Sequence, residues 1–436
     1  MSVLLRGCGA RVLPQAQCLR RGVSSTAAVH GLKVLFFGTD EFAARALAGL
    51  ETSRFAKNTA IDHIEVVCPP SVFKKKGLRE KLYWRAQAAV AASALGLKVH
   101  NPPDRDMSTW KVPTVCEAHG GGNFDIGVVA SFGRILPPSI IDSFNQGMIN
   151  VHPSLLPLYR GPSPIQTAIL NGDTTTGVTV QELHPRRVDA GRVLAQVPFP
   201  IRPSATRLDL MFQLGYLGGE MAGKVLQNLA HVRANSVAQS ENNVTTTRLF
   251  EMIDTRIDWE TMTAVDIFRM HRAHYGHEPV YSHLRIKNKH VMIKLLDIKL
   301  AVPSQKPLAD NYLDLSPGTL TKKKLVPYIE IPCIGGGRIH VYRFGPAGKA
   351  HLDSGQFNAG YIKKSKDARL VTHPGDPRRL TAPFVYPQGY VRPTLEAVTA
   401  EEEAYTAAFK QEAAEEAAER KSATAVENDD NDNDDE

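Results

Sequence analysis

The sequence lacks most of the features that assign a protein to a class on inspection. No apolar run approaches the ~20 residues that a helix needs to cross a bilayer, so no membrane-spanning helix is expected. The five cysteines, Cys8, Cys18, Cys68, Cys116 and Cys333, form no Cys-x-x-Cys pair. That spacing excludes the common zinc and dithiol sites and points to reduced thiols and no metal. There is no internal repeat, and no acidic residue precedes Asp40.

Charge is present but unevenly spread. The chain has 436 residues, 43% hydrophobic and 22% charged, which is enough for two folded domains and tails. The formal charge of +7 conceals an acidic end: residues 401–436 hold fourteen Asp/Glu against three Lys/Arg. Residues 1–30 hold four Arg and no acid, which leaves +14 on 31–400. A body that basic suits a polyanionic partner, although solubility alone also accounts for such charge. The Arg-bearing, Ser/Ala-rich start reads as a mitochondrial transit peptide over 1–30, cleaved between Arg21 and Gly31, with the matrix as destination. The segment 371–436 reads as an extension ending in an acidic tail too charged to fold.

Between these ends, strands alternate with helices. LKVLFFG (32–38) closes on Gly38 and is followed by the helical DEFAARALAGL. IEVVC (64–68), FDIGVVAS (124–131) and GMINVH (147–152) read as further strands, and 69–82 as a basic loop. The pattern implies a doubly wound, mostly parallel sheet over 31–230, with catalytic groups at the carboxyl ends of strands. TTTGVTVQELH (174–184) and RVLAQVPF (192–199) add an antiparallel pair, and a long helix over 205–230 closes the domain. Residues 231–250 read as a linker. Short strands punctuated by Gly and Pro over 251–370 suggest a small, OB-like β-barrel, preceded by a helix at 261–275.

One stretch carries chemistry: NVHPSLLPLYRG, residues 150–161. Asn150 and His152 sit two apart at a strand end, so they share a face. Asn offers a donor for a developing oxyanion, and His takes or gives a proton near neutrality. Asp189, in the turn VDAG, supplies a carboxylate to orient the imidazole. Leu155, Leu156 and Pro157 suggest a rigid apolar wall for a flat ligand. No Ser or Cys lies beside a convincing base, which favours direct transfer over a covalent enzyme intermediate. Spacing alone leaves a plainer reading open, in which the three residues cap a loop, bond a backbone and shape a turn.

The segment NVHPSLLPLYRGPSPIQ, with VVASFGRILPPSII before it and GVTV…VDAG after it, resembles the folate-dependent formyltransferase family. FFGTDEFAARAL is similar to that family's first strand-turn-helix. TRIDW (255–259), PGTL and RFGPAGKAHLDSGQFNAGY are similar, in order, to the carboxy-terminal domain of its methionyl-tRNA branch. The resemblance covers roughly residues 32–370. It implies a Rossmann-like formyltransferase domain with Asn150, His152 and Asp189 as the catalytic trio. It implies 10-formyltetrahydrofolate as donor, no metal, and initiator methionyl-tRNA as acceptor. The folate contacts are expected from Gly133, Ile135, Leu136, Ser154, Leu155, Leu156 and Pro157. The tRNA contacts are expected from Phe73, Lys74, Lys75, Lys76 and Arg79, from Arg160, and from the barrel through Lys322, Lys323 and Lys324. Lys287, Lys289, Arg338 and Arg343 add to the basic face of that barrel. A monomer is expected. Two alternatives share parts of this pattern: a purine- or sugar-nucleotide formyltransferase, and a non-catalytic RNA-binding relative. HPRRVDAG, where the family has a glycine-rich approach to the aspartate, is a departure.

Overall fold

The computed structural model describes residues 31–372, apart from 77–78, 104–105, 288, 302–315, 323–325 and 365–367. The expected transit segment, the acidic extension, Lys323 and Lys324 lie outside these residues.

β1 (Leu32–Gly38) runs through the middle of the first sheet, and Val34–Phe37 are fully buried. A parallel strand covered on both faces requires such an unbroken apolar run. The strand stops at Gly38, where a Cβ would come within 2.7 Å of the Phe36 ring and 2.6 Å of the Ala43 Cβ. This tight turn launches α1 (Glu41–Arg54), which Asp40 caps by accepting from the Ala43 N–H at 3.1 Å. β2 (Ile61–Val67) follows. The basic segment expected as a loop is instead a two-stranded antiparallel hairpin, β3 (Val72–Lys76) and β4 (Arg79–Trp84). Its strands take in Tyr83 and Trp84, and α2 (Gln87–Ala94) follows.

β5 (Val99–His100), β6 (Ile126–Ala130), α3 (Pro138–Ile141), β7 (Met148–His152) and α4 (Pro164–Asn171) come next. The antiparallel pair β8 (Thr175–Glu182) and β9 (Val193–Pro200) completes a seven-stranded sheet ordered β5-β2-β1-β6-β7-β8-β9, parallel as far as β7. α5 (Arg207–Gln227) begins with a capping box, Thr206 and Asp209, and lies along α1. The two helices touch through glycine: a Cβ at Gly219 would stand 2.0 Å from the Ala46 carbonyl.

The expected linker is not a free connection. It starts as α6 (Leu229–Ala234), then runs back over the first domain, where Val237 exchanges backbone hydrogen bonds with Val193. Further on, Arg160 donates to the Thr245 carbonyl and Thr247 donates to the Arg160 carbonyl. The second domain opens with α7 (Ala264–His274) and is built on an antiparallel sheet. Its strands are β10 (Tyr281–Ile286), β11 (Lys289–Leu300), β12 (Ile329–Pro332), β13 (Arg338–Pro346), β14 (Leu352–Asp353) and β15 (Arg369–Val371), with α8 (Ser354–Phe357) after β14. Thr319 bridges to Arg369 on one edge strand, and Thr321 to Glu330 on the other. These two bridges draw the edges together and curl the sheet toward a barrel.

α7 carries a buried imidazole, His274, and a half-buried one, His271. Burial lowers the pKa values of His271 and His274 from 6.5 to about 4. Both rings are neutral in the folded state across a range where the unfolded chain binds protons. Stability is therefore full above the unfolded value of 6.5 and falls as the pH drops from there toward about 4. The loss approaches about 1.4 kcal/mol per pH unit for each ring. His274→Gln should flatten the fall in urea midpoint between pH 7 and pH 5. An unchanged slope would mean that His274 does not titrate in this way.

Candidate active site

β7 ends at the carboxyl edge of the sheet. Ile149 and Val151 turn into the core, and Asn150 and His152 turn to the other face. Cross-strand register sets Gln181 opposite Asn150 and Thr179 opposite His152. The β8–β9 turn brings Asp189 to the same place. Its φ of +49° is left-handed, a conformation that costs a non-glycine residue about 1–3 kcal/mol.

Three amide N–H donors offset that cost. Asn150 Nδ2 and Gln181 Nε2 donate to Asp189 Oδ1 at 3.0 and 3.1 Å, and the Gly161 N–H donates to Oδ2 at 2.9 Å. His152 Nε2 lies 2.9 Å from the Tyr159 carbonyl oxygen. A carbonyl can only accept, so Nε2 carries the hydrogen and Nδ1 is the bare nitrogen of the neutral ring. Nδ1 stands 3.6 Å from Asp189 Oδ1, just beyond hydrogen-bond length. A proton taken up at Nδ1 would therefore arrive beside a carboxylate that is already held in place.

The trio lines a cavity of about 530 Å³. One wall is the segment 131–135 after β6, and another is the start of α4. Leu249, Phe250, His274 and His277 bring the strap and the second domain into the lining. Ile135, Val188 and Leu249 also line it, yet are 85%, 68% and 71% exposed. Large apolar side chains left in water around one opening are the signature of a ligand surface. Asp40 and Arg207 line the cavity as well. Burial pushes the Asp40 carboxyl up, against the opposing hydrogen bond from the Ser131 hydroxyl at 2.7 Å.

Not all the residues expected at the site are in this lining. Gly133 and Ile135 are; Leu136 is packed in the core cluster with Phe37 and Phe132. Ser154, Leu155, Leu156 and Pro157 lie outside this lining. The Ser154 hydroxyl donates to the Leu158 carbonyl at 2.6 Å, and the Leu156 N–H donates to Thr179 Oγ1 at 3.2 Å. Gln196 Nε2 donates to the Leu156 carbonyl at 3.0 Å, and Leu155 occupies the space that a side chain at Gly177 would take. The loop is fastened to β8 and β9, where it supports the Tyr159 carbonyl that His152 needs.

Two of the residues expected at the RNA are held by partners within the protein. Arg160 is only 7% exposed, and its Nε donates inward to Gln239 Oε1 at 2.9 Å. Lys322 Nζ donates to the carbonyls of Val326 and Tyr328 and to Ser354 Oγ. Of the other barrel cations, Arg338 is buried against Glu330 at 3.0 Å and Arg343 pairs with Asp297 at 3.4 Å, while Lys287 and Lys289 are exposed. The backbones of Phe73, Lys74, Lys75, Lys76 and Arg79 form the hairpin; the side chains of 73–83 lie outside the described part of the structure. Sequence reasoning missed Gln181 and Gln239. Gln181 had a signal, as the one amide on a strand of Thr, Gly and Val ending in Glu182; Gln239 sits in a polar, aperiodic run and had none.

A two-domain protein with an amide, an imidazole and a carboxylate meeting at a strand end is matched by two family models. The first, Formyl transferase, covers residues 33–225, and the second, Formyl transferase, C-terminal domain, covers 251–361. The chain belongs to the formyl transferase family. The mitochondrial methionyl-tRNA formyltransferase of Homo sapiens is 35% identical over 305 residues, 70% of this chain and 72% of that protein. That of Bos taurus is 40% identical over 242 residues, 55% of this chain and 56% of that protein. The methionyl-tRNA formyltransferase of Chloroflexus aurantiacus is 34% identical over 245 residues, 56% of this chain and 73% of that one.

Leu156 is 4% exposed and lies in the packing, so its loss should register as stability. Leu156→Ala is expected to cost about 2–4 kcal/mol in denaturant unfolding. Donor affinity of the folded variant should stay within about twofold. A stable variant with weakened donor binding would restore the side chain to the ligand wall.

Proposed function

We propose that this chain transfers the formyl group of 10-formyltetrahydrofolate to the α-amino group of methionyl-initiator tRNA, in the mitochondrial matrix. One observation carries the reading: Asn150, His152 and Asp189 meet in a cavity whose lining comes from both domains, so an acceptor bound across the two reaches the reacting groups. The mitochondrial relatives and the second family domain support the tRNA acceptor over a purine or sugar nucleotide. The intact trio supports catalysis over passive RNA binding.

In this mechanism the amine nitrogen attacks the formyl carbon. Asn150 has one N–H committed to Asp189, and its second N–H donates to the oxygen as charge develops there. His152 accepts the amine's proton at Nδ1, and Asp189 stabilises the imidazolium that results. The bond from the formyl carbon to the folate nitrogen then breaks, and the proton passes to that leaving nitrogen. Phe132 and Ile135 offer apolar faces for the flat ring system of the donor, beside the backbone of Gly133. No metal enters the scheme.

The boundaries proposed are 1–30 for the transit peptide, 31–230 for the catalytic domain, 231–250 for the strap, 251–370 for the RNA-binding barrel and 371–436 for the extension. The β3–β4 hairpin leaves the sheet after β2. It returns to α2, whose Ala88 N–H donates to the carbonyl of Thr39, the residue before cavity-lining Asp40. We read Lys74, Lys75 and Lys76 of this hairpin as contacts for the acceptor end of a tRNA, and Phe73 as a stacking partner for a terminal base. The protein acts as a monomer.

The test is an assay of the full chain with initiator methionyl-tRNA, elongator methionyl-tRNA, glycinamide ribonucleotide and an amino-sugar nucleotide. Formylation confined to the initiator is expected, and preference for a nucleotide would overturn the reading. Neutralising Lys74, Lys75 and Lys76 together should raise the tRNA KM and flatten its salt dependence while leaving folate binding alone. Equal tRNA affinity at every salt concentration would remove the hairpin from the interface. A reporter fused to residues 1–30 should enter the matrix, and a cytosolic reporter would contradict the address.

A further inference from the structure

Asp189 is fixed through its backbone as well as its carboxylate. The backbone anchor comes from the strap, between residues 225 and 251, a stretch that neither family model covers. Gln239 Nε2 lies 2.9 Å from the Asp189 carbonyl and 2.9 Å from the Gly191 carbonyl. It therefore bridges the two carbonyls on either side of Ala190, clamping the turn that holds Asp189 in its left-handed conformation. The same nitrogen lies 3.0 Å from Gln181 Oε1. That contact, with the Gly191 N–H donating to the same oxygen at 3.1 Å, sets which way the Gln181 amide points. With its oxygen so engaged, Gln181 presents its NH2 to the Asp189 carboxylate.

The oxygen end of Gln239 is equally committed. Gln239 Oε1 accepts from Arg160 Nε, and the residue after Arg160 is Gly161, whose N–H donates to Asp189 Oδ2. One carboxamide thus touches the peptide of Asp189 and the two groups, Gln181 and the 160–161 turn, that deliver donors to each of its carboxylate oxygens. The strap is pinned on both sides of Gln239, at Val237 and at Thr245–Thr247. It then passes Leu249 and Phe250 in the cavity and leads into the second domain.

We propose that Gln239 is a positioning residue for the formyl transfer, acting through Asp189 on His152. The inference rests on the reading of Asp189 and His152 as catalytic. Gln239 touches no reacting atom; its role is to keep the carboxylate at its set distance from the imidazole. A displacement of a supporting group by about 1 Å is enough to cost on the order of 100-fold in rate. Gln239→Glu is the sharper probe, because it keeps the shape and the acceptor for Arg160 but removes both N–H donors and faces three oxygens.

The experiment compares wild type, Gln239→Glu and Gln239→Ala, each alone and combined with His152→Ala, in formyl transfer by the full chain. Amide exchange is followed on the same proteins in peptides spanning 186–192. The single variants are expected to lose about 10–100-fold in kcat, with the KM for donor and acceptor changed less than threefold. In the His152→Ala background the further loss should be less than threefold, because the aligned imidazole is already gone. Exchange in 186–192 should quicken at least tenfold with no substrate present, so this arm decides the clamp even if methionyl-tRNA is not the acceptor. Kinetic losses that multiply in the double variant, or unchanged exchange in 186–192, would overturn the proposal. Wild-type protein that formylates none of the acceptors would overturn the function reading, while quickened exchange would still support the clamp.

Discussion

A carboxylate held by three amide hydrogens, 3.6 Å from an imidazole nitrogen, is the interaction on which the site depends. Amide donors hold Asp189 without neutralising it, so the charge stays available to a proton arriving on His152. A guanidinium in the same place would have cancelled that charge and pinned the carboxylate to itself. The guanidinium of Arg160 is instead bonded to Gln239. The backbone strain at Asp189, its three amide contacts and the strap can all be understood as means to that end.

The sheet supplies the rest of the geometry. β7 is the last parallel strand, and β8 returns antiparallel beside it, so Asn150 and Gln181 become direct cross-strand neighbours. Their amides converge on one carboxylate oxygen because strand pairing fixes their spacing. The Leu-Pro loop, fastened to Thr179 and Gln196, holds the Tyr159 carbonyl and so decides which imidazole nitrogen is bare. Glycines set the position of α5: Gly218 lies against the Val151 side chain of β7, and Gly219 against the Ala46 carbonyl of α1.

Much of this was legible in the sequence, for identifiable reasons. Buried parallel strands must be continuous apolar runs, so 32–38 and 124–131 declare themselves. The i, i+2 spacing of Asn150 and His152 states that they share a face. The hairpin at 72–84 was hidden because lysine-rich strands carry no apolar alternation to detect. In sequence, leucine beside a site reads equally as ligand wall and as packing; the hydrogen bonds that fasten the Leu-Pro loop to Thr179 and Gln196 appear only in the fold. The partners of Arg160 and Lys322 were not legible, because they depend on acceptors elsewhere in the chain: Gln239 in one case, three oxygens between Val326 and Ser354 in the other. Gln239 was out of reach altogether, since a polar residue in an aperiodic run shows its partners only once the chain is folded.

The central claim is that the charge of Asp189, and not merely its shape, drives proton uptake by His152. Asp189→Asn removes that charge at constant shape and sets its NH2 against either the Gly161 N–H or the Asn150–Gln181 amide pair, so turnover of this variant with unfolding stability measured alongside is the most direct measurement. Loss of about 100–10,000-fold in kcat, with stability within about 1–2 kcal/mol of wild type, is the predicted result. A folded Asp189→Asn protein turning over within a few-fold of wild type would contradict it.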